Sequence, residues 1–60
     1  MSVFSIGTRL RNLHTTREYT VCDVIVMDFG LTVYEVATDD MQMMRFNQDY
    51  VEHYEVVARD

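Results

Sequence analysis

The sequence predicts an all-β fold, a single small antiparallel barrel of five strands. Three observations carry that expectation. β-branched and aromatic residues gather in short runs, the densest being Tyr19–Met27 with Tyr19, Thr20, Val21, Val24, Ile25 and Val26. Turn-forming residues separate the runs at Gly7, at Asp28-Phe29-Gly30 and at Asp39-Asp40. No stretch sustains the i, i+3, i+4 spacing of an amphipathic helix. The 60 residues make one domain, spanning 1–60. A chain this short buries only about 60% of the surface its unfolded form exposes, so its core is thin.

The elements follow in order. Thr8–Leu13 reads as the first strand, with Leu10 toward the core and Arg9 and Arg11 opposite, because side chains alternate along a strand. Residues 12–18 are polar and read as a loop. In the second strand, Tyr19–Met27, strict alternation puts Asp23 on the face of Tyr19, Val21, Ile25 and Met27, while Val24 and Val26 make the other face apolar too. A β-bulge near Cys22–Asp23 shifts the register by one residue and resolves the conflict. Asp28-Phe29-Gly30 is a turn in which Gly30 can take positive φ.

Leu31–Thr38 is the third strand, with Leu31, Val33, Glu35 and Ala37 on one side and Thr32, Tyr34, Val36 and Thr38 on the other. Asp39-Asp40 turns the chain into a fourth strand, Met41–Phe46. Residues 47–51 are short and open with Asn47, a capping residue, which fits one turn of 3₁₀ helix. Tyr54–Ala58 closes the barrel. The competing reading is a helix over 40–58, and β-branched Val56 and Val57 with aromatic Tyr50 and Tyr54 argue against it. The expected core comprises Val21, Val24, Val26, Val33 or its neighbours, Phe46 and Val51.

Formal net charge is −5, with ten acids against five bases, and every base is arginine. Residues 1–17 carry Arg9, Arg11 and Arg17 with no acid, whereas residues 18–60 carry all ten acids with Arg45 and Arg59. That balance argues against nonspecific nucleic-acid binding, which depends on neutralising phosphates. The plain reading of the arginines is that they offset neighbouring carboxylates. Cys22 is the only cysteine, so no disulfide forms within the chain. With no signal-like start, the expected setting is reducing and cytoplasmic. No apolar run approaches the roughly 20 residues that a membrane helix needs, so no membrane role is expected.

The order of strand, loop, three strands joined by tight turns, a 3₁₀ turn and a last strand is similar to the SH3-like barrels, a group that includes SH3, Tudor and KOW-type modules. The segment Phe46-Asn47-Gln48-Asp49-Tyr50-Val51-Glu52 resembles the Phe-Pro-Ser-Asn-Tyr-Val-Glu that precedes the last strand of SH3 domains. The resemblance implies that Tyr50 lines a groove and Val51 is core. The chain departs from the family where its proline is replaced by Gln48, where the Ala-Leu-Tyr-Asp-Tyr motif is absent and where the groove tryptophan is missing. The barrel topology therefore carries over and recognition of proline-rich peptides does not. A Tudor-type cage for a methylated cation would draw on Tyr19, Phe29, Tyr34 and Tyr50.

Chemistry has little purchase. His14, Cys22 and His53 match no tetrahedral zinc spacing, so no metal or other cofactor is expected. Cys22 reads as a small buried hydrophobe and the histidines as surface residues. Asp39-Asp40 with Glu35 or Asp28 reads as solvated, because the calcium-loop pattern is absent. No nucleophile elbow, phosphate loop or HExxH occurs, and the chain is not expected to be an enzyme.

The distinctive stretch is Asp40–Phe46, where Met41, Met43 and Met44 fall within four residues. Met44 and Phe46 read as core, and Met41, Met43 and Arg45 as the outward face. Methionine fills irregular core gaps and, where exposed, is a soft, adaptable contact surface, so the stretch reads either as core filling or as an interface. The leading expectation is a non-catalytic interaction module that binds a protein partner or itself through Met41, Met43, Arg45, Tyr34 and Tyr50. The alternative is an acidic inhibitor of the phage or mobile-element type. It would occupy a basic nucleic-acid-binding surface of a host enzyme with Asp39, Asp40, Asp49, Glu52 and Glu55. A nucleic-acid binder using Arg9, Arg11, Arg17 and Tyr19 is the third, disfavoured by net charge.

Overall fold

The computed structural model describes residues 3–59. Five antiparallel strands form one sheet: β1 (Arg9–Asn12), β2 (Glu18–Val26), β3 (Thr32–Ala37), β4 (Met43–Asn47) and β5 (Tyr54–Ala58). Their spatial order is β4-β3-β2-β1-β5. A six-residue 3₁₀ segment, Gln48–His53, precedes β5. The Asn47 side chain caps it, accepting a hydrogen bond from the Asp49 N–H at 2.8 Å. The all-β class, the five strands and the capped 3₁₀ turn are as the sequence predicts, and no long helix covers residues 40–58.

The register of β2 explains the whole sheet. Val21 pairs with Val36 and Asp23 with Glu35, so Cys22 is the extra residue of a bulge. The bulge keeps Tyr19 and Val21 inside, turns Asp23 out and returns Val24 to the core face. Cys22 is consequently exposed, a correction to its expected burial: the residue with no partner on β3 is the one pushed outward. Val26 has the inward parity but is 71% exposed, a departure from its expected place in the core, whereas its β3 partner Thr32 is buried.

The core gathers Phe4, Leu10, Tyr19, Val21, Tyr34, Val36 and Phe46, with Val24, Met44, Val51, Tyr54 and Val56 packed against it. Two of its members depart from expectation. Phe4 lies before any strand, yet its ring meets Tyr34 edge-on at 5.3 Å and Phe46 at 6.5 Å. Tyr34 is only 1% exposed and its Oη accepts a hydrogen bond from the Val3 N–H at 2.9 Å. The inward face of β3 is therefore Thr32, Tyr34 and Val36, and Val33 is half-buried on the outer side.

No ladder joins β4 to β5 among the described residues, so the hydrogen-bonded sheet is not closed. Side chains close it instead. Phe46 of β4 stacks on Tyr54 of β5 with centroids 4.4 Å apart and planes 10° from parallel. Tyr54 in turn meets Tyr19 edge-on at 6.1 Å. Burial pushes the Tyr54 phenol above its ordinary pKa, against a smaller opposing effect of its hydrogen bond with Asn12.

The connections are tight. Asn12 Oδ1 accepts from the N–H groups of His14 and Thr15, and the Asn12 N–H bonds the Arg17 carbonyl at 2.8 Å. The third turn, 38–41, leaves Met41 at φ 66°, outside β4 rather than within it. The β2–β3 turn places Phe29 at φ 66°, ψ 17° and Gly30 at φ 75°. Two consecutive positive φ values are what the centre of a type I′ turn requires, and Asn-Gly is its favoured sequence. Phenylalanine at the first position costs about 1–2 kcal/mol of backbone strain, because its Cβ crowds the carbonyl.

Candidate functional site

The five arginines were expected to balance neighbouring carboxylates, and for three of them the contacts are direct. Arg9 is a hub: its Nε donates to Glu18 at 2.9 Å, and its two terminal nitrogens hold both oxygens of Asp39 at 3.1 and 3.0 Å. Arg11 binds Glu55 at 2.8 Å and reaches Glu18 at 3.4 Å. Arg45 binds Glu35 at 2.8 Å across the β3–β4 pair. Of the acidic contact set expected from sequence, Asp39 and Glu55 are thus paired within the chain while their side chains stay exposed. Asp23, Asp28, Asp40, Asp49 and Glu52 form no ion pair among the described residues.

The hub sets a pH dependence. Hydrogen bonds from Arg9 hold both Glu18 and Asp39 below their ordinary carboxyl pKa values. A depressed folded pKa contributes stability that is present above about pH 4, the unfolded range, and is lost as pH falls through the lowered folded values. Urea midpoints measured between neutral pH and about pH 2 are expected to fall on the acid side, and less steeply in Arg9→Gln. Asp39 is exposed and Arg9 and Glu18 are half-buried at the surface, so the contribution is modest and weakens with salt.

Two surface concavities matter. The larger, about 620 Å³, is polar and is walled by Arg9, Thr16, Arg17, Glu18, Thr38, Asp39 and Asp40. Its central charges are those of the Arg9 hub and satisfy one another. The second, about 520 Å³, is lined by Val33, Met44, Arg45, Phe46, Asn47, Tyr50 and Tyr54. Consecutive residues 44–47 all contribute to it, although alternate side chains of a strand point to opposite faces. This lining follows β4, which is the edge strand of the sheet. Phe46 and Tyr54 form the floor, Tyr50, 52% exposed, rises beside them, and the Tyr50 and His53 rings lie 5.8 Å apart.

The expected contact residues divide accordingly. Arg45 and Tyr50 line the groove. Met43 is exposed at the start of the same edge strand, and Met41 is 74% exposed in the turn that leads to it. Tyr34 contradicts expectation: it is a core residue, because the inward side of β3 is the one opposite to Val33 and Glu35, and no partner can reach it. Tyr19 is buried as well, so it cannot stack on a base or join an aromatic cage with Phe29 and Tyr50.

Two features escaped the sequence reading. The half-buried Met44 is a wall of the groove as well as a flank of the core. The β2–β3 hairpin tip exposes Val26, Met27, Phe29 and Leu31 together. Density of apolar residues around Gly30 was the available signal, and strict alternation hid it by assigning half of them inward.

His14 and His53 come together with ring centroids 5.5 Å apart, while Cys22 sits at the bulge on β2. Among the described residues no three His, Cys, Asp or Glu side chains are grouped to hold a metal. No described helix is long and apolar enough to cross a membrane. No protein-family model, curated protein or solved structure matches the chain.

Proposed function

We propose that this chain is a small non-catalytic interaction module that receives an extended segment of a protein along the free edge of β4. The observation that carries this reading is the coincidence of an unpaired strand edge with an apolar groove. The edge offers backbone N–H and C=O groups to an added strand. Met44, Phe46, Tyr50 and Tyr54 offer the pocket for its side chains, with Met41 and Met43 as an adaptable flank. The same edge serves a second copy of the chain, which would give a homodimer. The resemblance to SH3-, Tudor- and KOW-type modules read from the sequence supports this reading through the order of elements alone.

Tyr50→Ala and Met43→Asp change exposed side chains, so each is expected to shift stability by no more than about 0.5 kcal/mol. Each is expected to weaken partner retention at least tenfold, as truncation at an interface anchor does. Affinity capture from the source cells with the tagged chain, together with sedimentation velocity, measures both forms of the reading. A monomeric chain that retains the same partner after both substitutions ends it.

The second reading is an acidic inhibitor that covers a basic nucleic-acid-binding surface of a host enzyme. It is favoured by the unpaired state of Asp40, Asp49 and Glu52 among the described residues. Salt separates the two. Binding through carboxylates weakens steeply as ionic strength rises, and binding in the β4 groove does not.

A further inference from the structure

The tip of the β2–β3 hairpin is apolar, strained and acidic at once. Phe29 is 107% exposed, so its ring touches nothing that would repay the positive φ of its backbone. Val26, Met27 and Leu31 are exposed around it. Backbone bonds hold the tip in shape: the Met27 N–H reaches the Leu31 carbonyl at 2.6 Å. The Gln48 side chain accepts from the Thr32 N–H at 2.8 Å, tying the hairpin to the 3₁₀ segment. That tie brings Asp49 to the concavity shared with Gly30 and Thr32, and Asp28 directly precedes Phe29 in the turn. Neither carboxylate has an ion-pair partner among the described residues.

Folding does not account for Phe29. Asparagine would fit the same backbone with less strain, and the ring adds nothing to the core. A strained residue with no packing return points to a use outside the folded chain. We infer that Phe29 is the anchor of a second docking surface, and that its occupant is a protein surface bearing an apolar pocket rimmed by Lys or Arg. The charge of the tip selects that occupant. A second copy docked tip to tip would set Asp28 and Asp49 against their own counterparts, nucleic acid would set them against phosphates, and an anionic membrane would repel them. A basic rim around an apolar pocket satisfies both the ring and the carboxylates. The surface is distinct from the β4 groove and does not depend on it.

The test uses the full chain, ¹⁵N-labelled, and a displayed random-peptide library selected on it. Selected peptides are expected to combine Lys or Arg with apolar residues and to shift the amides of residues 26–31 and Asp49. Phe29→Asn is expected to melt at the same or a higher temperature, since it relieves the turn, while losing about 30-fold or more in affinity, as for an interface hot spot. Asp28→Asn with Asp49→Asn is expected to weaken binding about fivefold at roughly 50 mM salt and little at about 500 mM. An empty selection, or peptides held equally by Phe29→Asn, overturns the inference. Shifts confined to Met44, Arg45 and Tyr50 also overturn it and leave the β4 groove standing. Flotation with phosphatidylcholine vesicles that is lost in Phe29→Asn reassigns the tip to lipid, and a dimer lost in Phe29→Asn reassigns it to self-association; either result overturns a basic protein partner.

Discussion

Tyr34→Ala is expected to abolish the cooperative unfolding transition of the chain at room temperature. Tyr34 is 1% exposed at the centre of the core, with ring contacts to Phe4 at 5.3 Å and Phe46 at 5.5 Å. Large aromatic to alanine changes in cores cost about 3–5 kcal/mol. A chain of 60 residues has roughly 3–9 kcal/mol of stability in all, at about 0.05–0.15 per residue. The substitution therefore removes most or all of the margin. Near-ultraviolet circular dichroism and the dispersion of methyl proton resonances measure the loss. Tyr34→Phe keeps the ring and loses only the hydrogen bond that Val3 donates, at a cost of about 1 kcal/mol, and is expected to stay folded. The same pair decides the role of Tyr34. A contact residue would fail in Tyr34→Phe only when a partner is added, and a core residue fails in Tyr34→Ala without one.

Phe46→Ala is expected to lower stability by about 3–5 kcal/mol, again by truncating a buried ring. Here the loss opens the seam of the barrel. The ladder stops at β4 on one side and β5 on the other, and the stack of Phe46 on Tyr54 is what holds those edges together. With an urea slope of about 1 kcal/mol per molar for a small chain, the midpoint drops by roughly 3 M or vanishes. Met43→Ala, three residues earlier on the same strand and exposed, is expected to move it by less than about 0.5 M. Comparable losses in the two variants would mean that the seam is not held by the aromatic stack. Because Phe46 is also the floor of the groove, binding by Phe46→Ala carries no separate information, and Tyr50 is the residue on which to test recognition.

Much of the architecture was legible because it rests on local rules. The bulge at Cys22 follows from a conflict visible in one strand: Asp23 cannot share the inside with Tyr19 and Val21. Asn47 announces the 3₁₀ turn by its capping chemistry. Tyr54–Ala58 is a strand in both readings. The site was legible only in part. Met43 and Tyr50 are exposed as expected, whereas Tyr34 is in the core, because two-sided alternation on β3 does not say which side is in.

Strand propensity, turn chemistry and charge thus determine by themselves that the chain is five antiparallel strands with an acidic surface, since each depends on residues within a few positions of one another. Tertiary structure alone decided the rest. It put Phe4 into the core from outside any strand, left β4 as an open edge beside Tyr50 and Tyr54, joined Arg9 to Asp39, and carried the Phe29 tip beyond the core. The reason is physical: which face is buried, which edge is free and which charges meet depend on contacts between residues distant in the chain, and a local pattern holds no record of them.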